Sequence, residues 1–489
     1  MGWDRPNRGA DLRQDADFET EDDAVRAFTY LVRHREAMDA LMATPSDVSS
    51  LFTTGIGAAR KIVQGALKDN RAWLDPIEIA GLFAAYSIPI VPTLAARNAE
   101  DAVAGAEPFI TQGQTVAVKI LSRDISHKSD VGGVMLGLST KDEVRDAAKA
   151  VIGRAMRAQP KARIDGVVVQ PMIVRRSARE LILGIADDPT FGPVVAFGRG
   201  GTAVEIVRDK ALALPPLDLN LARDLVGRTE IARLLAAYRD VPAVPADAIP
   251  LTLAKLSRIA SDLPEIHELD INPLLADETG VLALDARVAI RAPARMFAGQ
   301  TRLAIRPYPK QWERQLQLKD GWRVDVRPMR PEDEPAVIAL LHKVSPEDLR
   351  LRFLHPIREF PHPFVARLTQ LDYARAMAFV AIDPEAGEVI GVVRLHADSR
   401  YEKAEYAILL RSDLKGRGLG WQLMQLLIDY ARAEGLTALF GEVSNENTTM
   451  LAMCRELGFD VRSSAREPGI SGVSLNLAPA DGAPFRDSR

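Results

Sequence analysis

A single cysteine, Cys454, is found in 489 residues. With no second thiol there is no intramolecular disulfide framework and no cysteine-rich zinc site, and a reducing, cytoplasmic setting is expected. Aromatic residues are few, at 6%. No apolar run approaches the roughly 20 residues of a membrane helix. The polar opening, MGWDRPNRGADLRQDADFETEDD, lacks the apolar core of a signal peptide. Neither sign of charge is in excess: 62 Lys+Arg against 66 Asp+Glu leave a formal −4. A generally basic surface is excluded, so neither nucleic acid nor membrane is an expected partner. No repeat of fixed period is seen.

The rest of the composition is ordinary for a globular chain, 47% hydrophobic and 26% charged, at a length suggesting about three domains or subdomains. Residues 1–17 read as a disordered tail. Residues 22–43 read as a helix, with Ala24, Phe28, Leu31 and Met38 at helical spacing. ARKIVQGAL continues in helix, and Asp75-Pro76 caps another. SIPIVPT reads as a short strand ended by proline, and VAVKI (116–120) and VMLGL (134–138) as buried strands. Thr140 to Glu143 form a capping box ahead of an apolar face of Val144, Ala147, Ala148, Val151, Ile152, Ala155 and Met156. Strands in GVVVQPMIV, ELILGIA, PVVAF, EIHELDINPL and GVLALD, with helices near 219–238 and 247–262, give an α/β (α+β) class. The Arg-, Lys-, Gln- and Pro-rich stretch 291–321 marks a boundary, and a frayed tail is expected at the C-terminus.

The most informative segment is YAILLRSDLKGRGLGWQLMQLLIDYARAEG. A strand feeds the turn Lys415-Gly416-Arg417-Gly418-Leu419-Gly420, which opens a helix with Leu419, Leu423, Leu426, Leu427 and Tyr430 on one face. Free N–H groups and the helix dipole there suit an anion, and a pyrophosphate is the natural guest. This region resembles the GNAT superfamily of acyl-CoA-dependent N-acetyltransferases, although Lys415 stands where that family's loop has Gln or Arg. VDVRPMRPEDEPAVIALL (324–341) resembles its first strand and helix, and Ser444-Asn445-Glu446-Asn447 with CRELGF its later strand-to-helix segment; the resemblance spans about 322–478. It implies acetyl-CoA in a cleft between two splayed parallel strands, with residues 415–420 on the pyrophosphate and Asn447 near the thioester. Amine attack needs a base to remove the ammonium proton. Glu405, sharing a strand face with Ala407 and Leu409, is the first candidate and Glu442 the second. Cys454 stands where many family members carry a tyrosine; a small buried apolar role is expected for it.

Residues 116–140 place Lys119 near the end of a strand and Gly132-Gly133 in a turn, parts that suit phosphate binding. FGRGGTAVE adds Glu205; Asn272 and Asp285 carry oxygen ligands of the kind Mg²⁺ takes. SHKSDVGGV, GRGGTAVE and ELDINPL together resemble the ATP-grasp domain of ADP-forming acyl-CoA synthetases, over about 57–292. The resemblance implies ATP with Lys119 on its phosphates, Glu205 near the nucleotide, Val169, Gln170 and Met172 in the hinge by adenine, and Mg²⁺ on Asn272 and Asp285. It also matches His127 to a histidine thought to relay phosphate.

The expected order is a tail (1–17), a helical connector (18–56), an ATP-grasp domain (57–292), a linker (293–321), a GNAT mixed-sheet domain (322–478) and a tail (479–489). This combination resembles large two-part bacterial protein lysine acetyltransferases, of which the chain looks like a shortened, split or truncated form without the CoA-binding and ligase-CoA domains. The expected function is acetyl transfer from acetyl-CoA to protein lysine, with a regulatory ATP-binding module. AMP-forming acyl-CoA synthetases are the protein substrates the resemblance suggests, and self-association stays open. The alternatives are an ADP-forming ligase β-like subunit needing a CoA-binding partner, and a non-catalytic nucleotide or acyl-CoA sensor.

Overall fold

The computed structural model describes residues 18, 20–42, 52, 54–125, 128–201, 209–292, 302–463 and 467–477. The expected tails 1–17 and 479–489 therefore lie outside the described residues. Among the described residues no helix is long and apolar enough to cross a membrane.

The N-terminal half begins with α1 (Glu21–Met42), α2 (Ile56–Lys68) and α3 (Pro76–Ala85). The Asp75 carboxylate caps α3 by accepting from the Ile77 and Glu78 amides, both at 2.9 Å, with Pro76 at the first helical position. Next come β1 (Leu94–Ala96), α4 (Ala99–Thr111), β2 (Val116–Ser122), β3 (Val134–Leu138), α5 (Lys141–Ala158) and β4 (Ile164–Pro171). The four strands form an antiparallel sheet in the order β1-β4-β2-β3. The capping box on α5 is present, and Val144, Ala147, Ala148, Val151 and Ala155 are buried against this sheet.

A second sheet is built from β5 (Arg179–Asp188), β6 (Gly192–Arg199), β7 (Lys210–Ala213), β8 (Ile266–Asp277), β9 (Gly280–Ala283) and β10 (Ala286–Ile290). Its order is β10-β8-β5-β6-β7, with β9 on β8. α6 (Leu219–Gly227), α7 (Ala232–Leu235) and α8 (Ala248–Asp262) connect β7 to β8.

The C-terminal half holds β11 (Arg314–Gln317), β12 (Arg323–Pro328), α9 (Glu334–His342), α10 (Pro346–Phe353), α11 (His362–Thr369), β13 (Ala376–Ile382), β14 (Val389–Ala397), β15 (Lys403–Leu410), α12 (Leu419–Ala433), β16 (Ala438–Ser444), α13 (Thr448–Glu456), β17 (Asp460–Ser463) and β18 (Ile470–Asn476). Its sheet runs β11-β12-β13-β14-β15-β16-β18-β17. Antiparallel pairing gives way to a parallel pair only at β15 and β16.

The architecture differs from the sequence expectation in identifiable places. SIPIVPT makes only a single bridge, at Ile90, because its two prolines remove ladder donors. VMLGL is a strand, but at the sheet edge, so Leu136 is exposed and only Leu138 is buried. Met156 likewise points to solvent. The helix expected over 219–238 breaks after Gly227, where the Asp209 carboxylate captures the Glu230 and Ile231 amides, each at 2.7 Å. Within the expected linker, β11 pairs with β12, and Trp312 sits 5.1 Å from the Tyr430 ring. The Asp320-Gly321 pair that turns β11 into β12 was the available hairpin signal.

Candidate active site and nucleotide cleft

In the C-terminal sheet, β15 and β16 pair in register for three positions, Lys403↔Ala438, Ala404↔Leu439 and Glu405↔Phe440, and no further. Beyond Glu405 the two strands diverge, which opens a wedge in the sheet. Tyr406 faces inward with α12 and α13, whereas Glu405, Phe440 and Glu442 face the other way and are exposed. The face division expected for β15 is thus observed: Gly420 of α12 sits beside Ile408 and Leu410, while Ala407 and Leu409 line a cavity on the Glu405 side.

The loop before α12 needs its glycines for backbone reasons. Gly416 and Gly418 adopt φ of +78° and +87°, a region other residues enter at a cost. Gly418 is the N-cap of α12 and has no side chain to cap with, so the first amides of a 15-residue helix lack a side-chain cap. Leu419 is buried, leaving its amide rather than its side chain for a ligand. The two basic side chains of the loop are engaged within the protein. Lys415 pairs with Asp348 of α10, which also accepts from Ser412 Oγ at 2.5 Å. Burial works against the Asp348 carboxylate, but the bonds from Lys415 and Ser412 outweigh it and hold its pKa below the usual range. Arg417 bonds Asp320 at 2.5 Å and stacks over Trp322 at 4.2 Å. The loop therefore offers backbone amides with cations alongside, the chemistry of an anion site.

Asn447 caps α13, its Oδ1 accepting from the Met450 amide at 3.1 Å, which leaves the side-chain NH₂ as the group available to a ligand. Cys454 is fully buried, shares a hydrogen bond with Tyr406 Oη at 3.1 Å, and has its thiol pKa pushed up by burial. It lies on the inward face of the sheet, away from Glu405, and fills core volume.

Two residues that the sequence reading passed over stand beside Glu405. Arg394 on β14 lies opposite Ala407, and His396 opposite Glu405, so Arg394 and Glu405 are diagonal neighbours on one face. Arg352 of α10 lines the same cavity as Arg394, Ala407 and Leu409. A cation in the mostly apolar VIGVVRLHA was a signal for Arg394; nothing in PEDLRLRF singled out Arg352.

In the N-terminal half, Lys119 lies on β2 between Val134 and Val168. Ala117 pairs with Gln170, so Gln170 shares the Lys119 face, while Val169 faces the core beneath α4 and α5. Gln170 Nε2 donates to Thr93 Oγ1 at 2.8 Å, and the Met172 amide donates to Thr115. Gly133 is tightly constrained: a Cβ there would come within 2.7 Å of Ile120 and of the Lys128 carbonyl. It lets residues 128–131 fold back against β2. That fold brings in Lys128, which sequence reasoning did not single out. Burial lowers the Lys128 pKa, Asp285 opposes the shift and Lys119 adds to it, so the three charges sit within reach of one another.

Asn272 and Asp285 are brought together, the Asn272 amide donating to the Asp285 carbonyl at 3.2 Å. Their side chains supply two hard oxygen donors, a set that fits Mg²⁺, which binds through one or two protein groups plus waters and phosphate oxygens. Among the described residues no cluster of three or more His, Cys, Asp or Glu could hold a metal by itself. His127 and Glu205 lie outside the described residues.

Comparison with known proteins gives two matches along the chain. Residues 65–290 match the ATP-grasp domain family and residues 347–459 the acetyltransferase (GNAT) family. The chain is 34% identical over 235 residues to the β subunit of acetate–CoA ligase [ADP-forming] I of Pyrococcus furiosus, covering 48% of this chain and 99% of the relative. It is 35% identical over 144 residues to an acetyltransferase of Pseudomonas aeruginosa, covering 29% of this chain and 77% of the relative. Among solved structures, a Ca. Korarchaeum cryptofilum dinucleotide-forming acetyl-coenzyme A synthetase in complex with coenzyme A, Ca-AMPCP and HgCl+ matches at 34% identity and a TM-score of 0.45, covering 48% of this chain and all of that one. Other ADP-forming CoA ligases are longer; the chain covers 37% and 29% of two of them.

Proposed function

We propose that this chain, which belongs to the ATP-grasp family of ADP-forming acetate–CoA ligase β subunits and carries a C-terminal GNAT acetyltransferase domain, transfers acetyl from acetyl-CoA to the ε-amine of lysine in protein substrates. The observation that carries the reading is the parallel ladder that ends at Glu405, with the glycine loop of 415–420 beside the same wedge. Amides of the loop and of the α12 N-terminus hold the CoA pyrophosphate, and the Asn447 NH₂ steadies the pantetheine arm. Glu405 takes a proton from the lysine ammonium. The neutral amine attacks the thioester carbonyl, the N–C bond forms, the C–S bond breaks and CoA leaves as thiolate. A thiol with a pKa near 8.5 is a good leaving group, so no strong acid is required. Cys454, buried and hydrogen-bonded, takes no acyl group.

The ATP-grasp half binds ATP with Lys119 and Lys128 beside its phosphates and regulates the transferase. Asn272 and Asp285 would hold Mg²⁺, which when bound neutralises phosphate charge. The protein works in the cytoplasm, with AMP-forming acyl-CoA synthetases as candidate substrates. The test is CoA release by the full chain from acetyl-CoA and candidate proteins, with lysine acetylation read by mass spectrometry, with and without ATP. No acetylation of any lysine substrate would overturn it.

A second reading, a ligase β-like subunit that needs a separate CoA-binding partner, is favoured by the match over 99% of an acetate–CoA ligase β subunit. ATP-dependent acetyl-CoA formation from acetate only when such a partner is added would establish it.

A further inference from the structure

Among the described residues, the half-buried arginines of the C-terminal half are generally paired. Arg327 bonds Asp333 at 2.6 Å, Arg350 bonds Glu347 at 2.7 Å, Arg411 bonds Glu388 at 3.1 Å and Arg306 bonds Glu434 at 2.7 Å. Arg352 and Arg394 stand apart. Both line one cavity of about 30 Å³, otherwise walled by Met329, Val337, Leu340, Val392 and their neighbours. Among the described residues neither guanidinium has a hydrogen bond or an ion pair; Arg352 only stacks over Phe353, at 4.8 Å. Burial, with repulsion from Arg394, pushes the Arg352 pKa down to about 10, and burial lowers that of Arg394, with Glu405 acting against both shifts.

Two like charges converging unpaired on an apolar cavity are costly unless an anion joins them. Glu405 supplies one negative charge against two positive ones, so one positive charge is left over. The cavity has room for one or two water-sized groups, the size of a carboxylate's two oxygens. Diagonal neighbours across antiparallel strands are about 7–8 Å apart. The distance from Arg394 to Glu405 is then a few bonds' length of an acceptor molecule.

We infer that Arg352 and Arg394 form an anion subsite for the acetyl acceptor, so that the favoured acceptor is a primary amine with a carboxylate a few bonds away. The inference rests on the acetyl-transfer reading. The carboxylate has two sources of one chemistry: an acidic side chain flanking lysine in a protein, or the carboxylate of a free amino acid. With a flanking carboxylate seated between the guanidinia, the lysine amine is delivered to Glu405 at the mouth of the wedge.

The test uses the full chain with capped peptides in which glutamates flank one lysine, the same peptides with glutamines, and free lysine against lysinamide. A charge-assisted contact predicts kcat/KM higher by on the order of 10- to 100-fold for the glutamate peptide. If free amino acids are the source, the gap appears instead between lysine and lysinamide. Arg352→Gln or Arg394→Gln should close the gap mainly through KM, and the corresponding lysine replacements should restore part of it. Transfer at equal kcat/KM to all acceptors would overturn the subsite and leave the acetyltransferase reading standing. So would Gln variants that lower kcat alike for every acceptor, since the guanidinia would then only position Glu405. Calorimetric titration of the same acceptors separates the remaining cases. Arginine-dependent binding of the carboxylate acceptor without transfer would support the subsite and overturn the transferase reading. Neither binding nor transfer would overturn both.

Discussion

The glycine loop separates two effects that a single substitution usually confounds. At Gly418 a Cβ would meet nothing within 4 Å, but φ is +87°. Gly418→Ala therefore costs backbone strain rather than packing, about 1–2 kcal/mol. For a unit of about 150–250 residues that lowers the unfolding midpoint by ~2–8 °C. Gly420 is the opposite case. It lies within α12, and its Cβ would touch Leu410 Cδ1 at 3.2 Å and Ile408 Cδ1 at 3.8 Å, both movable side-chain ends. Helix propensity gains about 1 kcal/mol from Gly420→Ala, which offsets the crowding and leaves stability nearly unchanged. If the pyrophosphate sits on these amides, both variants nevertheless lose acetyl-CoA affinity, by about tenfold or more, because each adds a methyl where a charge-assisted contact forms. Scanning calorimetry of the full chain and isothermal titration with acetyl-CoA read the two quantities separately. An unchanged midpoint for Gly418→Ala would refute the strain argument. A lowered midpoint with unchanged affinity in both variants would refute the placement of the pyrophosphate.

Glu405→Gln keeps size and hydrogen bonding but removes basicity, so steady-state turnover should fall about 10²–10⁴-fold while acetyl-CoA affinity holds. The deficit should shrink as pH rises toward the lysine pKa near 10.4, where more of the substrate is already neutral; near-normal kcat would transfer the base role to Glu442 or a water. Lys119→Ala should weaken ATP binding, read by calorimetry, by on the order of 1.5–3 kcal/mol through the lost phosphate contact, and unchanged ATP affinity would remove Lys119 from the site. Cys454, buried with its thiol pKa raised, should resist iodoacetamide in the folded chain and react once denaturant opens the C-terminal half; fast labelling under native conditions would contradict its burial.

Much of this was legible because the signals were local. Asp75-Pro76 and Thr140 to Glu143 are caps whose donors and acceptors lie within one turn, and both form as the spacing implies. The glycine loop and the alternation along EYAILL also depend on neighbours in sequence. What stayed hidden was set by distant partners. The break near Gly227 comes from Asp209, on a segment before the helix. β3 reads as apolar, but its place at an edge follows from the strand order, which no window of sequence carries. Arg352 and Glu405 are 53 positions apart and come within electrostatic reach only because α10 packs against β15. Lys128 reaches Asp285 for a similar reason, across two sheets.

Backbone accounting gives the wedge its chemical meaning. Residues 406–410 of β15 are paired with β14 on one side, but the parallel ladder on the other side stops at Glu405. β16 past Phe440 is paired with β18 and likewise has no partner toward β15. Strand groups removed from water require partners, and an exposed strand edge is a ready template for an extended ligand with amides of its own. A pantetheine arm has such amides and is the width of one strand. Its direction is then fixed by the two ends of the wedge. On the proposed reading the α12 amides hold the pyrophosphate at one end, and the last paired row, Glu405↔Phe440, stops the other. On that reading the thioester lies where the ladder resumes, beside Glu405. Tyr406 and Cys454 close the inward side, while Glu405 and Arg394 lie on the outward face with Arg352 of α10 beside them, which is where the proposed function and the proposed subsite put the acceptor amine.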